Sequence, residues 1–109
     1  MADRITREIH LALWKIHILH HAAEHPLYGQ WLLDELQRHG FRVSPGTLYP
    51  LLSRMARQGW LRRAGQGGSP KARREYVATA TGTRALAALG SQVDELHREV
   101  VRDAAHRRR

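Results

Sequence analysis

Leucine and valine recur along the last third of the chain at Leu86, Leu89, Val93, Leu96 and Val100, in steps of three, four, three and four residues. That is the a/d spacing of a helix that packs along another helix. Near the start, residues 4–24 carry two apolar strips when wound at about 100° per residue. Ile5, Ile9, Ala12, Leu13, Ile16, Leu19 and Ala23 share one face, and Leu11, Trp14 and Ile18 lie nearly opposite. A helix that is apolar on two sides is buried on two sides. A chain of 109 residues makes one small domain, which alone buries only about two-thirds of its unfolded surface. One copy cannot cover both the seam and the two-sided helix, so the sequence predicts a homodimer. Leu11, Trp14, Ile18, Leu86, Leu89, Val93, Leu96 and Val100 are its expected interface.

Composition narrows the function. Hydrophobic residues at 42% and charged residues at 26% fit a globular domain. With no cysteine, disulfides, Cys-ligated metals and cysteine nucleophiles are excluded. MADRITREIH holds no uninterrupted apolar run, and no stretch approaches about 18 consecutive apolar residues, so neither a signal peptide nor a membrane span is read and a cytoplasmic location is expected. Carboxylates are few and lie mainly on helix surfaces, with His97 and His106 isolated, so no catalytic constellation assembles and an enzyme is not expected. Charge is uneven. Residues 1–36 are net −2, residues 37–75 net +8 and residues 76–109 net +2. A basic block inside a folded domain is the footprint of a polyanionic partner.

The order of elements sharpens this. The first helix stops at His25-Pro26, since the residue before proline leaves the α region. A second helix over 28–39 presents Leu32, Leu33 and Leu36 and stops at Gly40. Phe41-Arg42-Val43 is extended, and Ser44-Pro45 then reads as N-cap and first turn of a third helix. That helix runs to about Gln58, with Leu48, Leu51, Leu52 and Met55 on its apolar side and Gly59 as its stop. Pro50 predicts a tight or distorted first turn. Trp60–Ala64 and Arg74–Ala78 read as two strands joined by the Gly-rich loop GQGGSPKAR, and Thr79 caps a last helix. Three helices followed by a basic-tipped hairpin is the plan of a winged helix-turn-helix. The expected fold is mainly α with a small β-hairpin: residues 1–79 form the DNA-binding unit and 80–109 the C-terminal dimerisation helix, with helix 1 contributing to the dimer interface.

The third helix would enter a DNA major groove. Opposite its apolar stripe lie Pro50, Ser53, Arg54 and Arg57, flanked by Thr47, with Tyr49 at the border. This face carries hydroxyls, an aromatic ring and two guanidiniums, and no carboxylate; such groups bond phosphates or base edges. Lys71, Arg73 and Arg74 would form the wing tip, placed to neutralise phosphates.

The run Val43-Ser44-Pro45-Gly46-Thr47-Leu48-Tyr49-Pro50-Leu51-Leu52 resembles the recognition-helix signature of the PadR family of transcriptional regulators. Pro26-Leu27-Tyr28-Gly29, Gly59-Trp60-Leu61 and Tyr76-Val77-Ala78-Thr79-Ala80-Thr81-Gly82 match it at the right intervals, and the likeness covers roughly residues 9–90. The resemblance implies a dimeric repressor, released by a small-molecule effector, that binds an inverted repeat in double-stranded DNA. It also implies that the first helix packs on the partner's last helix. Its DNA contacts would be Tyr28, Gly29, Ser44, Thr47, Tyr49, Pro50, Arg54, Lys71 and Arg73. The single C-terminal helix is similar to the short subclass. Gln30, Trp31 and Glu75 depart from the family's pattern.

Eight histidines in 109 residues invite a further reading. Five lie in or just after helix 1, and His17 and His21 have the i, i+4 spacing that binds one metal ion. A metal- or pH-responsive regulator and a basic RNA-binding module are therefore the alternatives; packing or interface histidines are the simpler reading, and no cofactor is assigned. Trp14 could stack an effector at the dimer interface.

Overall fold

The computed structural model describes residues 2–64 and 75–104, with side chains from residue 4 onward. Its elements are α1 (Ala2–Glu24), β1 (Leu27–Tyr28), α2 (Gly29–Arg38), α3 (Pro45–Arg57), β2 (Leu61–Arg63), β3 (Glu75–Ala78) and α4 (Ala80–His97), the last continuing into a π-helical turn over Arg98–Arg102. The loop expected at the wing tip, including Lys71, Arg73 and Arg74, and the tail from His106 lie outside the described residues.

The helix stops read from the sequence have a common geometry. At the end of α2 the Phe41 N–H donates to the Leu36 carbonyl at 3.1 Å and the Gly40 N–H to Gln37 at 3.0 Å. At the end of α3 Trp60 and Gly59 donate to Met55 and Ala56 in the same pattern. These are Schellman closures, which need a left-handed residue at the turn, and Gly40 and Gly59 take φ of +91° and +86°. Thr79 caps α4 as expected: its Oγ1 accepts from the Gly82 N–H at 3.1 Å and its hydroxyl donates to the Gly59 carbonyl. One hydroxyl thus ties the start of α4 to the end of α3.

The sheet is larger than the two-strand hairpin expected. β3 lies in the middle, antiparallel to both neighbours, with Leu61 opposite Ala78 and Leu27 opposite Tyr76. β1 has two residues, too few for any alternation to show, and its partner is nearly fifty positions away in sequence. Because Tyr28 is in this strand, α2 begins one residue later than expected, at Gly29.

Leu32 and Leu36 of α2, Leu48, Leu51, Leu52 and Met55 of α3, Leu27, Leu61 and Ile18 form the fully buried centre. The α1 strips are used differently from the expectation. Trp14 is 4% exposed and Ile18 fully buried within this one chain, and Leu11 packs against the same core. Trp14 and Ile18, expected at the dimer face, are thus covered by their own chain, and Leu11 is half-buried. The reason is local: the turn after α2 brings Phe41 against α1, edge-on to the Trp14 ring at 5.9 Å between centroids. Ala12, Ile16 and Leu19 face Ala85 and Leu89 of the chain's own α4, and Leu86 packs against the core. What stays exposed is Ile5, Ile9 and Leu13 on α1, and Val93, Leu96, Val100 and Val101 beyond them on α4 and its π-helical turn.

Where α1 meets α2, buried Glu35 is held by Arg38 at 2.6 Å and by His39 at 3.0 Å. The Arg38 hydrogen bond above all holds the Glu35 carboxyl below the usual carboxylate range. His17 sits beside His39 and Phe41, with ring centroids 5.7 and 5.8 Å away. Burial first, then the charge of His39, pulls His17 below the ordinary histidine value of 6.5; burial and then His20 do the same to His21. A histidine whose folded pKa is lowered binds fewer protons folded than unfolded, so its contribution is complete above 6.5 and is lost as pH falls below that value. Glu35 has the same sign in a more acidic window. Melting temperature therefore falls as pH drops from neutrality to about 5, and His17→Phe flattens the upper part of that slope. A melting temperature independent of pH over this range would contradict the assignment.

Candidate nucleic-acid interface

α3 is positioned by its buried stripe. With Leu48, Leu51, Leu52 and Met55 fully buried, the helix cannot rotate without uncovering four large side chains, at about 1.5–3 kcal/mol each. The opposite face is thereby fixed outward: Ser44, Pro45, Gly46, Pro50, Arg54 and Arg57 are exposed, and Thr47, Tyr49 and Ser53 are half-buried. No carboxylate lies on this face. Arg54 and Arg57 have no ion pair among the described residues, whose ion pairs lie elsewhere.

Pro45 occupies the first turn and Pro50 lies inside the continuous helix. The first turn is tight, as Pro50 predicts: Thr47 and Leu48 both donate to the Ser44 carbonyl, at 3.1 and 3.0 Å. Ser44 takes the N-cap position, but its side chain makes no capping bond. Its hydroxyl turns toward Thr47, 3.4 Å from that Oγ1. The two hydroxyls thus sit together at the exposed start of the helix.

Tyr28 is exposed on β1, at the edge of the same surface. Gly29 is buried, and a Cβ there would lie 2.3 Å from Cε1 of Tyr49. Its missing side chain is the seat of the Tyr49 ring, a packing role that the expected DNA contact did not anticipate. Trp31 is braced by the edges of His21 and His25 at 5.1 and 5.6 Å, and Gln30 donates to Asp34 at 3.0 Å. The basic surface also extends further than the expected residues: Arg42 is exposed just before α3, and Arg62 and Arg63 are exposed on β2. The concentration of charge in residues 37–75 was the signal for them, and only the fold shows which of those charges border α3.

His17 and His21, the expected metal pair, are half-buried, with near-parallel rings 6.3 Å apart. The ligand atoms that converge within 4.8 Å are those of His20, His21 and Glu24. His20 and Glu24 are exposed one helical turn apart, 3.6 Å from each other, a separation ordinary for a surface pair on a helix. Trp14, expected to stack an effector between protomers, is enclosed in its own chain.

Gly29→Ala should destabilise the protein by about 1–3 kcal/mol, through overpacking against Tyr49. Thermal melts of Gly29→Ala, Tyr49→Ala and the double variant check it. Coupling within about 0.3 kcal/mol of zero would show that the two residues do not touch.

The sequence and the fold have known relatives. The model of the PadR-like family of transcriptional regulators matches residues 18–88. A transcriptional regulator of Mycobacterium tuberculosis is 46% identical over 100 residues, covering 92% of this chain and 94% of that one. A PadR-like transcriptional regulator from Bacillus cereus has a TM-score of 0.71 at 29% identity, over 82% of this chain and 88% of that one. A PadR family regulator from Eggerthella lenta has a TM-score of 0.67 at 32% identity, over 91% of each chain. The chain belongs to the PadR-like family of transcriptional regulators, which are not enzymes.

Proposed function

We propose that the protein is a homodimeric repressor that binds an inverted repeat in duplex DNA and leaves it when an effector binds. The observation that carries the DNA reading is the outer face of α3, which presents hydroxyls and two guanidiniums without an ion pair among the described residues, and no carboxylate. A merely solvated helix face mixes both signs of charge; a face built for a polyanion does not. Arg54 faces the groove and reads base edges, while Lys71, expected in the wing from the sequence, grips phosphate.

The case for a dimer rests on α4. Every residue from 90 to 103 is exposed within the chain, including Val93 and Leu96, the latter at 59%. Isolated helical arms are marginal in water, and this one is lined with valine and leucine at seam spacing. The radius of gyration, 15.7 Å, exceeds the roughly 13 Å of a compact domain of about 100 residues, because the arm extends without a partner. Exposed Ile5, Ile9 and Leu13 supply a second apolar strip on α1. A second copy covers both. No helix among the described residues is long and apolar enough to cross a membrane.

Leu96→Glu should convert the dimer to a monomer in sedimentation at micromolar concentration, since it buries a charge in the seam; a wild-type monomer there would sink the proposal. Arg54→Ala should lower affinity for the cognate operator by about 1–3 kcal/mol and relax the preference at one base position. Lys71→Ala should weaken all sequences alike and reduce the salt slope by about one. Equal weakening of every single-base operator variant by Arg54→Ala would make Arg54 a phosphate clamp. Preference for structured RNA over duplex DNA in a mobility shift would overturn the DNA reading.

A further inference from the structure

A cavity of about 420 Å³ opens between the first half of α1 and the turn that leads into α3. Its wall includes Thr6, Arg7, His10 and Trp14 of α1, Arg42 of the turn and Thr47 of the recognition helix. A second recess shares Arg7, Arg42 and Thr47 and continues to Ser44. Arg7 and Arg42 line both recesses, and neither has an ion pair among the described residues. No carboxylate is part of either lining. Like charges brought together without a counter-charge are unfavourable, and the planar guanidinium fork matches an oxyanion.

Trp14 forms part of the same wall. The residue is 4% exposed, and its Nε1 is buried without a hydrogen-bond partner. Indole nitrogen donates and cannot accept, and buried donors left unpaired are few in folded proteins. His10 lies against the Trp14 ring and edge-on to Phe41, at centroid distances of 5.8 and 5.0 Å, which holds this wall in place. The cavity thus gathers two arginines and two threonines beside the Trp14 ring, with no carboxylate in its lining.

We propose that this cavity is an oxyanion site that seats a phosphate or carboxylate group between Arg7 and Arg42, beside Thr47. The group comes either from the backbone of bound DNA or from a free small anion. Thr47 stands in the first turn of α3, so in either case occupancy is sensed at the recognition helix.

The test uses the full-length protein and the indole N–H signals of its three tryptophans, with Trp14 assigned by difference from Trp31→Phe and Trp60→Phe. Inorganic phosphate is titrated against chloride at matched ionic strength, and a random-sequence duplex is titrated separately at low salt. If the source is a free anion, phosphate moves the Trp14 signal saturably, and Arg7→Gln and Arg42→Gln each weaken that response about tenfold, the loss of one charge-assisted contact. If the source is DNA, only the duplex moves it, and each variant lowers the salt slope of duplex binding by about one. A Trp14 signal that responds to neither overturns the site. Wild-type binding to the duplex, followed by mobility shift, separates the two claims: a protein that binds duplex with an unmoved Trp14 signal keeps the regulator reading and loses this one.

Discussion

The packing of α1 is the contact on which the rest depends. One side of this helix inserts Trp14 and Ile18 into the core made by α2 and α3. Another side, through Ala12, Ile16 and Leu19, receives the start of α4. Burying large apolar side chains at about 1.5–3 kcal/mol each therefore does two things at once: it closes the helix-turn-helix core and fixes where α4 leaves it. The orientation of α4 relative to α3 follows from this helix together with the Thr79 tie to the end of α3. Any second copy that docks along α4 inherits that orientation, and so sets the separation of two recognition helices.

Much of this was legible in the chain. The left-handed glycines at 40 and 59 and the cap at Thr79 were readable because each is fixed by local chemistry: one backbone conformation or one hydroxyl. The α3 stripe was readable because four residues at helical spacing leave little freedom for any other face. β1 was not, because a two-residue strand exists only through its pairing with β3 far along the chain. What covers each α1 strip was not legible either. A helical wheel shows which residues share a face, and it cannot show which neighbour covers that face. Trp14 was read as an outward residue because Phe41 comes to it only through the folded turn after α2.

The candidate site shows the same division. Arg54 and Arg57 were legible as outward cations, since their faces follow from the buried stripe. Gly29 also has a packing role that was not legible: it admits the Tyr49 ring, a contact between two helices that no local pattern encodes. The placing of Arg7 and Arg42 on one cavity is likewise non-local, as α1 and the turn before α3 are brought together by the core. Local spacing gave the chemistry of each element, and burial decided which groups converge.

We propose that the apolar arm of α4, together with α1, joins two copies and so holds two α3 faces at a fixed separation. The most direct test is affinity for inverted repeats in which only the spacing between half-sites varies. A dimer of this kind gives a sharp optimum, with half-site centres about one helical turn apart or a whole multiple of it, and steep loss when a few base pairs are inserted. Affinity that is indifferent to spacing, or that matches a single half-site, would contradict it.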